Sequence, residues 1–140
     1  MIDNNSTDNT KSEIFKAIKH FPSLSIEYLF EGKQGKFAAL NKGLAATTTQ
    51  YIITLDADTF LHQDALIKIV NAICCESANK KVGAVAGTVF VKNSKKNLIT
   101  KMQAWEYLLT LTCIKRVQGL FQSTLVAQGA FSIFDTALLK

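Results

Sequence analysis

The segment Tyr51-Ile52-Ile53-Thr54-Leu55-Asp56-Ala57-Asp58 joins five residues of strand-forming character to two carboxylates spaced two residues apart. Aromatic and β-branched side chains favour extended backbone, so the sequence predicts a β-strand over residues 51–55. In an open α/β sheet the ligand crevice lies outside the carboxyl ends of the strands. A strand that stops at Asp56 therefore delivers both acids to that crevice.

The acid pair at Asp56 and Asp58 is a candidate metal site. Mg²⁺ prefers oxygen ligands and is usually held by one or two carboxylates together with substrate phosphates. The pair could therefore supply one half of a site whose other half is a diphosphate. Two acids at this spacing also occur in ordinary solvated turns. The acid pair alone therefore supports a metal site and a solvated turn equally.

The composition is typical of one folded domain. Of the 140 residues, 48% are hydrophobic and 19% are charged, and the net charge of +5 comes from scattered lysines. No aromatic residues interleave with Lys80-Lys81 or Lys95-Lys96, so we expect no nucleic-acid partner. An anionic partner, such as a nucleotide diphosphate or a membrane surface, is compatible with this charge.

The cysteines and the apolar runs predict a reduced, soluble setting. Cys74 and Cys75 are adjacent and Cys113 is remote, which matches neither a disulfide framework nor a zinc spacing. No apolar run is long enough for a membrane-spanning helix, and the N-terminus lacks the features of a signal peptide. We expect Cys74 and Cys75 to lie on a helix with an apolar face and to fill the core.

Strand and helix patterns alternate along the chain. The predicted strands cover residues 1–2, 24–30, 51–55, 82–91 and 126–134, and the predicted helices end at Phe21 or cover 37–46, 63–76 and 98–119. The alternation predicts an α/β fold with a mainly parallel sheet flanked by helices, in a single domain over residues 1–140. In the helix at 63–76, the predicted buried face consists of Leu66, Ile67, Ile69, Val70 and Ile73.

Three polar loops each follow a predicted strand, so they are expected at the same edge of the sheet. The first holds Asp3 to Asp8, the second holds Gly35 and Lys36, and the third holds the acid pair. An early aspartate or asparagine pair suits hydrogen bonding to a base or ribose. A lysine in a glycine loop suits a phosphate, and the later acids suit a metal. Together the loops predict a nucleotide-diphosphate site.

These motifs resemble those of family 2 glycosyltransferases. Residues 2–8, Ile-Asp-Asn-Asn-Ser-Thr-Asp, are similar to V-D-D-G-S-T-D, although Asn4 and Asn5 depart from its D-G. Residues 35–43 are similar to G-K-x-x-A-L-N-x-G, and Leu-Asp-Ala-Asp at 55–58 resembles the family's metal motif. The likeness continues through residues 82–85, 103–107, 115–116 and 129–131, where it is closest to membrane-bound processive synthases of the poly-N-acetylglucosamine, hyaluronan and cellulose type.

The resemblance implies a GT-A fold, which is the Rossmann-like fold of nucleotide-diphospho-sugar transferases, truncated here at both ends. Its donor-binding part would cover residues 1–92 and its acceptor-side part residues 93–140. The donor-binding residues implied are Asp3 at the uracil, with Asn4 beside it, Lys36 at the diphosphate, and Asp56 near the ribose and metal. Asp58, together with Asp56, would bind Mg²⁺ or Mn²⁺, and Gln128 and Gly129 would lie near the acceptor sugar.

The implied activity is metal-dependent transfer of a sugar, expected to be N-acetylglucosamine, from a UDP-sugar donor to a glycan acceptor with inversion. The implied location of the full-length protein is the cytoplasmic face of a bacterial inner membrane, reached through flanking segments. The family's general base is expected beyond Lys140, so the 140 residues should bind nucleotide weakly and transfer no sugar. Two alternatives stand beside this hypothesis: a non-catalytic nucleotide-sugar-binding fragment or pseudoenzyme, and an α/β nucleotide-binding module unrelated to sugars.

Overall fold

The computed structural model describes residues 1–77, 82–121 and 129–140. The chain divides into two compact units. Unit 1 consists of Met1–Thr49 with Leu139–Lys140, and unit 2 consists of Gln50–Leu138.

Unit 1 contains a pair of short parallel strands and two helices. Ile2 lies opposite Leu29 and Asp3 lies opposite Phe30 in the parallel pair. The strand predicted over 24–30 forms only at Leu29–Phe30, so that prediction is wrong for most of its length. The elements of unit 1 are β1 (Ile2–Asp3), α1 (Thr10–His20), β2 (Leu29–Phe30) and α2 (Lys36–Ala46).

Unit 2 contains a three-stranded sheet and most of the helical residues. The sheet has the order β3-β5-β4, and β5 runs antiparallel to both neighbours. The strand predicted over 82–91 is observed only at Ala84–Ala86, as β4. The strand predicted over 126–134 is observed as β5 from Phe131, and its residues 126–128 lie outside the described residues. The elements are β3 (Tyr51–Leu55), α3 (Ala65–Ser77), β4 (Ala84–Ala86), α4 (Leu98–Tyr107), a π-helical segment (Leu108–Ile114), α5 (Lys115–Leu120), β5 (Phe131–Asp135) and α6 (Thr136–Leu139).

The α/β class is confirmed, and the strand directions refine the expectation of a mainly parallel sheet. β1 and β2 are parallel, and β3 and β4 point the same way as each other because both are antiparallel to β5. Both hydrogen-bonded strand pairs of unit 2 are antiparallel, because β5 lies between β3 and β4 and runs in the opposite direction to both. Hydrophobic pattern alone does not encode this insertion, because it reports burial and not strand order.

The core of unit 2 forms where one stripe of α3 packs on β5. Ile69 and Ile73, one helical turn apart, form a buried cluster with Phe131 and Ile133. The other predicted members of the buried face, Leu66, Ile67 and Val70, are exposed, so that part of the prediction is wrong. Cys74 and Cys75 are also exposed, which contradicts the expectation that they fill the core. Helical spacing alone would place Leu66 and Val70 on the same face as Ile69 and Ile73. Burial is decided by contact with β5, and the α3 residues in that cluster are Ile69 and Ile73.

The long helix predicted over 98–119 is confirmed as a continuous helical run that contains the π-helical segment. Its start is defined by a capping box, in which the Asn97 side chain accepts from Thr100 N and the Thr100 side chain accepts from Asn97 N. Among the described residues, no helix is long and apolar enough to cross a membrane.

Gly87 lies against the ring of Phe131, the first residue of β5, and its N–H donates to Phe131 O at 2.9 Å. A Cβ at residue 87 would overlap this ring, because it would lie 2.9 Å from Cε1 of Phe131 and still closer to Cδ1. We therefore expect Gly87→Ala to lower the free energy of unfolding by about 1–3 kcal/mol, because an overpacked core must shift to relieve the clash. Urea denaturation followed by circular dichroism measures this change.

Gly119→Ala is the matched control. Gly119 lies in α5, and a Cβ there would meet nothing within 4 Å. Alanine in an open helical position is expected to stabilise the fold by about 0.5–1 kcal/mol. Equal effects of the two substitutions would show that the Phe131 contact does not restrict residue 87.

Candidate functional site

Asp3, at the end of β1, accepts hydrogen bonds from Ser6 and Tyr28 within unit 1. The residue is only 3% exposed. Oδ1 accepts from Ser6 N at 2.9 Å, and Oδ2 accepts from the Tyr28 hydroxyl at 3.0 Å. Hydrogen bonds from Ser6 are the main cause that lowers the pKa of Asp3, and the bond from Tyr28 adds to it. Burial, followed by the bond to Asp3, raises the pKa of Tyr28, so that hydroxyl stays protonated as a donor.

We expect Tyr28→Phe to raise the pKa of Asp3, because one of the donors that favour the carboxylate is removed. In the wild type the carboxyl should titrate below its ordinary value of 3.8. A depressed pKa stabilises the folded chain above the unfolded value, and this contribution disappears as the pH falls through the folded value. A ¹³C NMR titration of the Asp3 carboxyl measures the midpoint. Tyr51→Phe is the control, and an unchanged midpoint in Tyr28→Phe would contradict the assignment.

Asn4 and Asn5 continue the loop after β1. The Asn4 amide nitrogen donates to Glu31 O at 3.2 Å and to Lys33 O at 2.6 Å, and its Oδ1 accepts from Gly35 N at 2.7 Å. Asn5 has φ 56°, a left-handed conformation that asparagine tolerates better than most residues. Asn5 stands where the V-D-D-G-S-T-D pattern has glycine, and its conformation explains why asparagine can replace it there.

Lys36, the lysine predicted for a phosphate, is the first residue of α2 and is exposed. Gly35 precedes it with φ 123°, a conformation that side-chain-bearing residues rarely adopt. Gly35 O accepts from Ala38 N at 3.0 Å, which begins the helix. The glycine loop therefore turns the chain sharply just before Lys36.

Asp56 and Asp58 lie in a turn at the carboxyl end of β3 in unit 2. Asp56 O accepts from Thr59 N at 3.0 Å, which closes the turn. Asp56 is half-buried, whereas Asp58 is exposed. Asp56 N donates to Ala130 O at 3.2 Å, so the acid pair is joined to the segment just before β5.

The donor set of this turn fits a cation that is shared with phosphate oxygens. The described residues contain no group of three or more His, Cys, Asp or Glu side chains placed to hold a metal ion by themselves. Two carboxylates at a strand end match the partial protein coordination usual for Mg²⁺, which takes its remaining oxygens from substrate and water. Asp56 and Asp58 are therefore the residues that could hold Mg²⁺ or Mn²⁺ here.

The predicted site residues fall in both units. In unit 1, Asp3 and Asn4 lie beside the loop that leads to Lys36. In unit 2, Asp56 contacts Ala130, and Gly129 next to it is exposed, whereas Gln128 lies outside the described residues. The sequence motifs did not single out Tyr28, which lies within the strand predicted over residues 24–30. Nothing in that pattern signals a hydroxyl directed at Asp3, 25 residues away.

The sequence model of glycosyl transferase family 2 matches residues 1–140. The chain is 32% identical over 140 residues to a poly-beta-1,6-N-acetyl-D-glucosamine synthase of Staphylococcus epidermidis, covering 100% of this chain and 32% of that relative. A synthase of the same name from Staphylococcus aureus (strain COL) is 31% identical over 134 residues, covering 96% of this chain and 31% of the relative. The chain thus spans about a third of the length of these curated relatives.

A solved structure with the same fold is that of a mannosyltransferase from Pyrobaculum calidifontis in complex with GDP-Man and Mn²⁺. It matches with a TM-score of 0.70 and 25% identity, covering 99% of this chain and 35% of that one. This likeness confirms the GT-A fold that the sequence motifs implied. With a family match over its full length and the motif residues on the strand ends described above, this chain is a member of glycosyl transferase family 2.

Proposed function

We propose that this chain is part of a metal-dependent, inverting glycosyltransferase that transfers a sugar from a UDP-sugar donor to a growing glycan. The observation that carries the proposal is the turn after β3, where Asp56 and an exposed Asp58 follow a strand in a chain that matches the family throughout. The names of the staphylococcal relatives favour N-acetylglucosamine as the sugar and a polysaccharide as the acceptor.

The donor-binding part of this proposal covers residues 1–92. Asp3 contacts the uracil through lone pairs that remain after it accepts from Ser6 and Tyr28. Lys36 contacts the diphosphate, since it is exposed and cationic at the start of α2. Asp56 lies near the ribose and the metal. The exposure of Lys36 supports its role, and the carboxylate lone pairs of Asp3 not used by Ser6 and Tyr28 support the role of Asp3.

Asp58, with Asp56, is proposed to bind Mg²⁺ or Mn²⁺. The bound metal would offset the charge that develops on the departing UDP, which is a Lewis-acid role. The support is the exposed carboxylate turn of this chain, together with the Mn²⁺ that the Pyrobaculum mannosyltransferase binds. The carboxylates themselves need no proton transfer in this role, because they act as oxygen ligands.

The acceptor-side part covers residues 93–140, with Gln128 and Gly129 near the acceptor sugar. The support is the bond from Asp56 N to Ala130 O, which connects the proposed metal turn to the residue after Gly129. We place the full-length protein at the cytoplasmic face of a bacterial inner membrane, held there through segments outside these 140 residues. Its staphylococcal relatives are bacterial, which supports this location.

Isothermal titration of the purified chain with UDP, GDP and ADP, each with and without Mn²⁺, tests the proposal. We expect UDP to bind most tightly, and only in the presence of metal. Preference for ADP would favour a nucleotide-binding module unrelated to sugars. We propose that the general base lies outside the 140 residues, so we expect this chain to bind UDP-N-acetylglucosamine without turnover. Turnover that Asp58→Ala abolishes would overturn that assignment.

A further inference from the structure

The side chain of Asn4 connects the end of β1 to the loop of residues 31–35. It makes three hydrogen bonds to main-chain atoms of this loop, to Glu31 O, Lys33 O and Gly35 N. The bond to Gly35 N spans 31 residues of sequence. A single side chain thus determines where three backbone groups of the loop lie.

The donor capacity of Asn4 is fully used by the loop. A carboxamide has two N–H donors, and both are directed to carbonyl oxygens, at 3.2 Å and 2.6 Å. Its oxygen already accepts the Gly35 N–H. Donation to a nucleotide base would therefore require a loop hydrogen bond to break. This hydrogen-bond pattern argues against a direct base contact, which the resemblance implied for this position.

The loop contacts also explain why asparagine occupies this position in place of the aspartate of the V-D-D-G-S-T-D pattern. A carboxylate only accepts hydrogen bonds, so an aspartate would face the oxygens of Glu31 and Lys33 without a donor. An amide donates to both carbonyls and still accepts from Gly35. Asparagine is thus the residue type that satisfies all three backbone groups.

We propose that Asn4 is a positioning residue, which holds Gly35 so that Lys36 is presented to the diphosphate of the donor. This inference rests on the proposed function, since it assumes that Lys36 contacts a diphosphate. Gly35 has φ 123° and directly precedes Lys36, so the direction in which the lysine leaves the loop depends on the Gly35 backbone. Gly35 N donates to Asn4 Oδ1 at 2.7 Å, so Asn4 restrains that backbone.

The test compares uridine with UDP as probes, both in the presence of Mn²⁺, for the wild type, Asn4→Ala and Asn4→Asp. Asn4→Ala is expected to weaken UDP about tenfold, the net value of about one hydrogen bond, and to leave uridine unchanged. Hydrogen exchange at the Gly35 amide should become faster in the same variant, because its acceptor is lost. An equal loss of affinity for uridine and UDP would overturn the positioning role in favour of a base contact.

Asn4→Asp adds a pH readout of the hydrogen bonds between residue 4 and the loop. The two carbonyl oxygens that face residue 4 disfavour the charged carboxylate and so favour its protonation as the pH falls toward about 4. The protonated group would donate to one carbonyl and accept from Gly35. The UDP affinity of the variant should therefore partly recover relative to the wild type. Asn9→Asp is the matched control, since Asn9 is exposed in the same unit and makes no capping bond with its side chain. It should show no such recovery.

The possible failures are distinguishable. If the wild type binds neither uridine nor UDP, the proposed function is overturned, whatever the variants do. If the wild type binds UDP and Asn4→Ala binds it equally well with unchanged Gly35 exchange, only the role of Asn4 is overturned.

Discussion

Asp58→Asn is expected to remove the Mn²⁺-dependent part of UDP binding while the fold persists. Asp58 is exposed in the turn after β3, so its replacement disturbs no packing. Asparagine keeps the size of the side chain but removes the charge that a hard cation prefers. We expect at least about a 10- to 100-fold loss of affinity in Mn²⁺, which is the loss found even when only a residue supporting a metal ligand is replaced. Titration calorimetry with and without Mn²⁺ measures it.

Asp64→Asn is the matched control for charge. Asp64 belongs to the same unit and lies 3.8 Å from Lys68 Nζ and 3.6 Å from His62 Nδ1 on the surface. Exposed pairs of this kind contribute about 0–1 kcal/mol, so the substitution removes the same charge at little cost to the fold. Affinity for UDP in Mn²⁺ should remain at the wild-type level. The metal assignment would be wrong if Asp64→Asn and Asp58→Asn weakened UDP equally, or if Asp58→Asn had no effect.

Ile73→Ala is expected to lower the free energy of unfolding by about 2–5 kcal/mol, because it opens a cavity that the surroundings fill only in part. Ile73 is 0% exposed and packs with Ile69, Phe131 and Ile133. Since domains are typically stable by about 5–15 kcal/mol, the variant loses a large fraction of the total. Urea unfolding monitored by circular dichroism measures the change. Ile73→Val, with an expected loss of about 0.5–1.5 kcal/mol, keeps the test informative if the alanine variant does not fold.

Ile67→Ala is the control on the same helix. Ile67 is 65% exposed, so its truncation should change the free energy of unfolding by no more than about 0.5 kcal/mol. The apolar pattern of the sequence assigned both isoleucines to one buried face, and the comparison separates that expectation from the observed packing. Similar losses at the two positions would mean that another surface covers Ile67 in solution.

The sequence predicted the elements whose signals are local. The strand at residues 51–55 and the end of α1 before Pro22 occur where composition and proline stereochemistry placed them. The long helix after Asn97 also begins where a local signal, its capping box, occurs. Such features depend on interactions within one turn or one strand, so neighbouring residues suffice to determine them. The candidate site residues were found for the same reason, because each lies at a local structural boundary. Asp3 ends β1, Asp56 and Asp58 follow β3, and Lys36 begins α2.

The remaining features were decided by contacts between residues far apart in the chain. Hydrophobic period showed that α3 has an apolar face, but only packing on β5 selected Ile69 and Ile73 from it. The antiparallel insertion of β5 between β3 and β4 depends on backbone pairing, which carries no side-chain signature. The bonds of Tyr28 to Asp3 and of Asn4 to Gly35 span 25 and 31 residues, so they exist only once β1 and β2 are in register. Thus the sequence by itself determined the family and the candidate residues, and the tertiary structure decided which partners hold those residues in place.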